Sequence, residues 1–330
     1  MKRLIAVLSA TALLCGFCIG CKQESALRKV EINEVTRSVF YAPQYIAVAL
    51  GYFEEEGLQV DISTGGGSDK TMTALLSGEA DIGLMGPETG VYVVNEGKED
   101  HPVIVGQLTK RDGSFLLSHN PEPDFKWENL KGTTVIGGRR GGMPFMTLEY
   151  LLKKHGLTPG VDVELMDSVQ FNLIGGAFEA GAGDYVALFE PTATMFELEG
   201  KGHIVANVGE ASGEVPYTTF MVNKKVLTED RELVEKFIRA IYHAQQWLAA
   251  ASDEDVAKTI QPFFPDSAVD ILAAVSANYR ATDSWKQDPI MRQESFERLL
   301  DIMDEAGELK ARIPMDQLVD NSIAQSIVDR

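Results

Sequence analysis

The chain has 330 residues, with 30 basic against 49 acidic side chains and a formal net charge of −19. That balance argues against nucleic acid, which needs basic patches, and against a polybasic membrane-binding surface. The length exceeds one small core and suits two lobes, while Cys15, Cys18 and Cys21 all precede the body and leave it no disulfide framework.

Lys2 and Arg3 form a positive start, an apolar run covers Leu4 to Ile19, and Gly20-Cys21 closes it. A run that short, with those flanks, reads as a secretory signal over 1–20 rather than a membrane span. Cys18-Ile19-Gly20-Cys21 resembles a bacterial lipobox, with Cys18 where leucine is usual. Cys21 is therefore the expected lipidation site, and 21–29 a tether; a secreted protein cut elsewhere is the alternative. Two acyl chains on one cysteine suffice for stable attachment. The expected location is extracytoplasmic, on the bacterial cell membrane, held by the lipid anchor alone.

From Val30 to Asn223 short apolar runs alternate with helical patterns, which predicts an α/β fold with largely parallel strands. Strands are expected at 30–35, 59–63, 80–85, 103–108, 115–118, 133–136, 163–166, 187–189, 204–206 and 218–222. Pro43 opens a helix with Tyr45, Ile46, Ala49 and Leu50 on one face, Ser68 caps a second, Pro87 opens a third, and 144–154 form a fourth. Beyond Thr228 the pattern is helical. Gly51, Gly57 and Gly156 stand where helices stop.

Four strands run directly into loops that start helices: Gly65-Gly66-Gly67-Ser68-Asp69, Gly86-Pro87-Glu88-Thr89, Gly137 to Gly142, and Glu190-Pro191-Thr192. Ligands of open α/β sheets bind outside the carboxyl ends of strands, where free N–H groups suit polar or anionic atoms. One such loop is ordinary turn chemistry; two on each side of residue 115 describe a cleft between two lobes.

The segments Phe40-Tyr41-Ala42-Pro43-Gln44-Tyr45 and Gly51-Tyr52-Phe53-Glu54-Glu55-Glu56-Gly57-Leu58 resemble the opening of bacterial solute-binding lipoproteins. The chain is similar to the group for sulfonates, nitrate, taurine and thiamine-pyrimidine precursors, with Ser77 to Gly83 and Trp127 with Leu130-Lys131-Gly132 as further marks. The resemblance implies a two-lobed fold of the type II periplasmic-binding-protein kind, with two crossing hinge strands and a helical C-terminal region. It implies lobe 1 at 30–113, lobe 2 at 114–218, and a return to lobe 1 with C-terminal helices at 219–330. Crossings are placed near Gly113 to Ser118 and Tyr217 to Val222. A monomer that delivers a small ligand to an ABC importer permease and its ATPase is the implied role, with no cofactor and no metal.

The candidate ligand-binding residues are Phe40, Tyr41, Gln44, Gly66, Gly67, Glu88, Thr89, Arg139, Arg140, Gly141, Phe171, Asn172, Glu190 and Tyr217. Phe40 could equally pack in the core, and Glu88 and Glu190 could simply answer a helix dipole. Arginine in a glycine loop can fork onto a carboxylate, sulfonate or phosphate, and at most one of Arg139 and Arg140 is expected to face inward. Two inward carboxylates among aromatic rings favour a flat nitrogen heterocycle such as an aminopyrimidine; an organosulfonate or nitrate is the alternative. A biosynthetic enzyme on the same fold, of menaquinone or pyrimidine-synthase kind, is a further alternative. Yet His101, His119, His155, His203 and His243 are dispersed, and no Gly-x-Ser-x-Gly elbow or P-loop is present.

Overall fold

The computed structural model describes residues 26–330; the signal sequence and Cys21 lie outside them. Ten strands form two five-stranded sheets. β1 (Arg28–Glu34), β2 (Leu58–Thr64), β3 (Ile82–Met85), β4 (Pro102–Thr109) and β10 (Thr218–Asn223) make the first, ordered β2-β1-β3-β10-β4. β5 (Ser114–Ser118), β6 (Thr134–Ile136), β7 (Glu164–Met166), β8 (Tyr185–Phe189) and β9 (His203–Asn207) make the second, ordered β7-β6-β8-β5-β9.

Each sheet holds one strand that runs against the other four. β10 pairs antiparallel with β3 and β4, and β5 pairs antiparallel with β8 and β9. These are the two strands that arrive from the opposite sheet. A chain leaving β4 at the carboxyl end of the first sheet enters the second from that same edge, so its direction there is reversed. The chain passes between the sheets at 110–113 and 213–217. The crossings expected near Gly113 to Ser118 and Tyr217 to Val222 start on these links at Gly113 and Tyr217, and the rest of each range is the paired strand β5 or β10.

Burial follows strand chemistry. β3, in the middle of its sheet, is buried throughout, as a strand covered on both faces must be. β4, at the sheet's edge, is equally buried because C-terminal residues cover it, with bridges from Ile104 to Val319 and from Thr109 to Trp285. The long helix Arg231–Ala250 buries Leu233, Val234, Phe237, Ile238, Ile241, Ala244 and Leu248, one apolar stripe at helical spacing. It lies over β4, where a Cβ at Gly106 would stand 2.8 Å from Ile238 Cδ1. In the Ala42–Ala49 helix Tyr45 and Ile46 are core, whereas Ala49 and Leu50, expected on the same face, are exposed at its end. Ser68 is not a cap: it is the first residue of its helix after Gly67, and its hydroxyl accepts a long 3.5 Å bond from the Gly86 N–H. The C-terminal helices reach both sheets. Val269–Ala281 packs on Thr192–Leu198, and Gln293–Glu305 on Met143–Lys154.

Candidate functional site

The carboxyl ends of both sheets face each other, and between them lies a partly open cavity. About 80 Å³ is open to the centres of water molecules, enough for a small water cluster or one small ring. One wall is aromatic. The Phe40 ring sits 5.7 Å from Tyr217, 5.8 Å from Phe189 and 6.0 Å from Tyr41, and Phe171 lies 5.5 Å from Phe189. All five rings line the cavity. Phe40 is held from behind: its carbonyl accepts a 3.0 Å bond from Trp285 Nε1, and Tyr279 lies 5.2 Å from its ring. Gly113 must be glycine there, because a Cβ would stand 2.6 Å from the Phe40 ring.

The other wall carries charge. Glu88, at the start of its helix, is 1% exposed, lines the cavity and has an Oε2 with no hydrogen-bond partner. Burial pushes its carboxyl up to about 7; nearby backbone N–H groups, its own and that of Met143, and the Arg139 charge pull the other way. The carboxylate curls over Gly86, where a Cβ would stand 2.0 Å from Oε2. A glycine between β3 and this helix is thus what lets Glu88 reach the cavity. Buried carboxylates normally find partners, and an unpaired acceptor costs free energy that a ligand donor recovers. Arg139 lines the same cavity from the second sheet; its side chain is 50% exposed and lies 3.9 Å from Asp69 across the cleft.

Of the residues expected from sequence, Phe40, Tyr41, Gly67, Glu88, Arg139, Phe171 and Tyr217 meet at this cavity. The others go elsewhere, each for a local reason. Arg140 turns outward to Asp167 at 2.9 Å and over the Phe145 ring. Gln44 donates to Glu34 at 2.9 Å within the core. Thr89 donates its hydroxyl to the Gly86 carbonyl at 2.7 Å, completing the helix start. Gly66 and Gly141 are left-handed turn residues with φ of 82° and 73°, and the Gly141 carbonyl accepts from the Tyr92 hydroxyl at 2.8 Å. Asn172 is exposed and lines a neighbouring outer depression. Glu190, expected to accept from a ligand, instead accepts from the Thr194 N–H at 2.9 Å, the Thr194 hydroxyl at 2.8 Å and Asn278 Nδ2 at 2.9 Å.

Sequence reasoning missed three kinds of residue. Ser38 lines the cavity as the cap of the short helix Val39–Tyr41 and Phe189 as the last residue of β8, positions that could have drawn attention to both. Tyr279 and Trp285 come from the C-terminal region and carried no local signal. Glu34, fully buried under the cleft, binds Gln44, Tyr45 at 2.7 Å and Arg37 at 3.1 Å, and burial raises its carboxyl to about 7. Among the described residues no group of three or more His, Cys, Asp or Glu is placed to hold a metal.

This geometry has known relatives. The family model described as "NMT1/THI5 like" matches residues 39–255. The chain belongs to that family. YtlA of Bacillus subtilis (strain 168), named as a candidate binding protein, is 46% identical over 308 residues, covering 93% of this chain and 92% of YtlA. Two solved structures share the NMT1/THI5-like protein's fold at low identity. The alkanesulfonate-binding protein SsuA of Xanthomonas axonopodis pv. citri, bound to MOPS, superposes with a TM-score of 0.73 at 17% identity, covering 90% of this chain and all of SsuA. The periplasmic nitrate-binding protein NrtA of Synechocystis PCC 6803 gives 0.72 at 16%, covering 92% and 89%. The NMT1/THI5-like chain therefore has the two-lobed periplasmic-binding-protein fold, with two crossings and a helical C-terminal region. The cavity occupies the crevice between the lobes.

Proposed function

We propose that this protein is an extracytoplasmic solute-binding lipoprotein that closes on a small nitrogen heterocycle and passes it to an ABC importer. The observation that carries the ligand class is the unpaired Glu88 Oε2 in a cavity walled by five aromatic rings. An aminopyrimidine supplies what that site lacks: an N–H donor for the carboxylate and a flat face for the rings. Such a donor, meeting a desolvated carboxylate, is a charge-assisted bond worth more than a neutral one. The ring gains aromatic contact on the opposite wall.

A buried carboxylate on the wall opposes nitrate or a bare sulfonate by like-charge repulsion in a poorly screened site. Arg139 is the one cavity-lining arginine and would hold such an anion, displacing Asp69. The bound relative with MOPS makes a sulfonate the natural competing ligand. Calorimetry of the mature chain with 4-aminopyrimidine, taurine and nitrate separates the two. Heat from 4-aminopyrimidine that is lost in Glu88→Gln supports the heterocycle; binding of taurine that is lost only in Arg139→Ala replaces it with the sulfonate.

In this reading Cys21 carries the lipid, the importer's permease and ATPase are the partners, and the chain acts as a monomer that binds its cargo unchanged. No helix among the described residues is long and apolar enough to cross a membrane.

A further inference from the structure

We infer that Glu190 is a positioning residue: it never meets the ligand but clasps the two lobes together behind the cavity, and so sets how long a captured ligand stays. Glu190 follows β8 in the second lobe and is 1% exposed. All three of its polar groups are taken by the first lobe or its C-terminal helices. The backbone carbonyl accepts from the Ser38 hydroxyl at 2.8 Å. The backbone N–H donates to the Tyr279 hydroxyl at 3.1 Å, and that hydroxyl donates in turn to the Gly113 carbonyl at the first crossing, also at 3.1 Å. The carboxylate accepts from Asn278 Nδ2 at 2.9 Å while Thr194 steadies it from its own helix.

The clasp and the cavity share a wall. Phe189, next in sequence, lines the cavity, and Phe40 stands between Tyr279 on one side and Tyr217 on the other. A ligand that fills the space against these rings holds Phe189 and Phe40 in the arrangement the clasp requires. Opening the lobes must break the Ser38, Tyr279 and Asn278 bonds together. Because that breaking belongs to release, the clasp acts on the dissociation rate, the quantity that varies most among related complexes. Asn278 does not line the cavity, so changing it leaves the ligand's own contacts in place.

This inference rests on the binding reading only in that closure serves capture, and its test separates the two. Stopped-flow binding of 4-aminopyrimidine to the mature full chain compares wild type with Asn278→Ala, Glu190→Gln, and the paired change Glu190→Gln with Asn278→Asp. A lost hydrogen bond to a carboxylate corresponds to roughly tenfold or more. Asn278→Ala, which removes the donor, is expected to raise the dissociation rate about tenfold, with the association rate within about twofold. Glu190→Gln, whose Oε1 can still accept from Asn278 but whose charge is gone, is expected to raise it by less. The paired change reverses donor and acceptor and is expected to return the rate to within about threefold of wild type. A residue that only stabilises its lobe would lower the melting temperature without this split or this rescue. Unchanged dissociation, a loss confined to association, or failure of the paired change to rescue overturns the inference. If wild type does not bind 4-aminopyrimidine, the ligand reading fails and the clasp is judged in ligand-free protein. There small-angle scattering should give a larger radius of gyration for Asn278→Ala, restored by the paired change; equal radii would overturn it.

Discussion

Glu88→Gln should act in opposite directions on binding and on stability, because the same unpaired oxygen governs both. Its carboxyl is raised from 4.5 to about 7, first by burial. Between those values the folded protein keeps a proton that the unfolded chain has released. Stability therefore falls as pH rises through that window, and the penalty is complete above about 7. At about 1.4 kcal/mol per pH unit, the ionised form costs at most about 3.5 kcal/mol. Glutamine carries no such charge. The variant should melt several degrees higher than wild type at pH 8 in the absence of ligand, with the difference vanishing near pH 4.5. Glu34, also raised to about 7, keeps its own pH dependence in both proteins and does not blur the comparison. Affinity for 4-aminopyrimidine should meanwhile drop roughly ten- to a hundredfold, the value of a hydrogen bond to a charged group. Differential scanning calorimetry across pH, paired with titration calorimetry at pH 8, reads both effects. Equal melting temperatures at pH 8, or an affinity that survives the change, would refute the assignment of Glu88 as a strained ligand acceptor.

Gly86→Ala should abolish binding while leaving Glu88 in the chain, since the new methyl would occupy the space 2.0 Å from Oε2 and force the carboxylate out of the cavity; titration calorimetry alongside circular dichroism separates lost binding from lost fold. Arg139→Ala should leave a neutral heterocycle bound or bind it slightly better, and Arg140→Ala should leave every ligand affinity unchanged, because Arg140 serves Asp167 instead; an Arg140 variant that loses binding would contradict the outward placement. Cys21→Ser should move the protein from the membrane to the soluble fraction on ultracentrifugation, and a variant that stays with the membrane would rule out the lipid anchor.

The fold was legible because its signals are local. Apolar runs of strand length, glycines at helix ends and loops that begin helices all lie within about ten residues of what they control. The resemblance to solute-binding proteins supplied the two lobes and their two crossings, which periodicity cannot. The site divides along the same line. Glu88 and Glu190 look alike in sequence: each follows a strand, sits beside a proline and stands at or just before a helix start. What separates them is distant or geometric. Glu190 meets Asn278, 88 positions away, and Thr194 one turn on. Glu88 is folded over a glycine and meets nothing with Oε2. Arg139 and Arg140 are adjacent, yet one lines the cavity and the other reaches Asp167, 27 positions on. Trp285, bonded to the Phe40 carbonyl across 245 positions, had no local signature at all. Contacts of that range are decided by tertiary packing, so a single sequence shows the residue and hides its partner.

The most direct measurement is titration calorimetry of the mature wild-type chain at pH 8 with 4-aminopyrimidine, taurine and nitrate in separate runs. Saturable heat with 4-aminopyrimidine, and none or far weaker heat with the two anions, is the predicted result. Saturable binding of taurine or nitrate without binding of 4-aminopyrimidine would contradict it and make Arg139, rather than Glu88, the centre of the site.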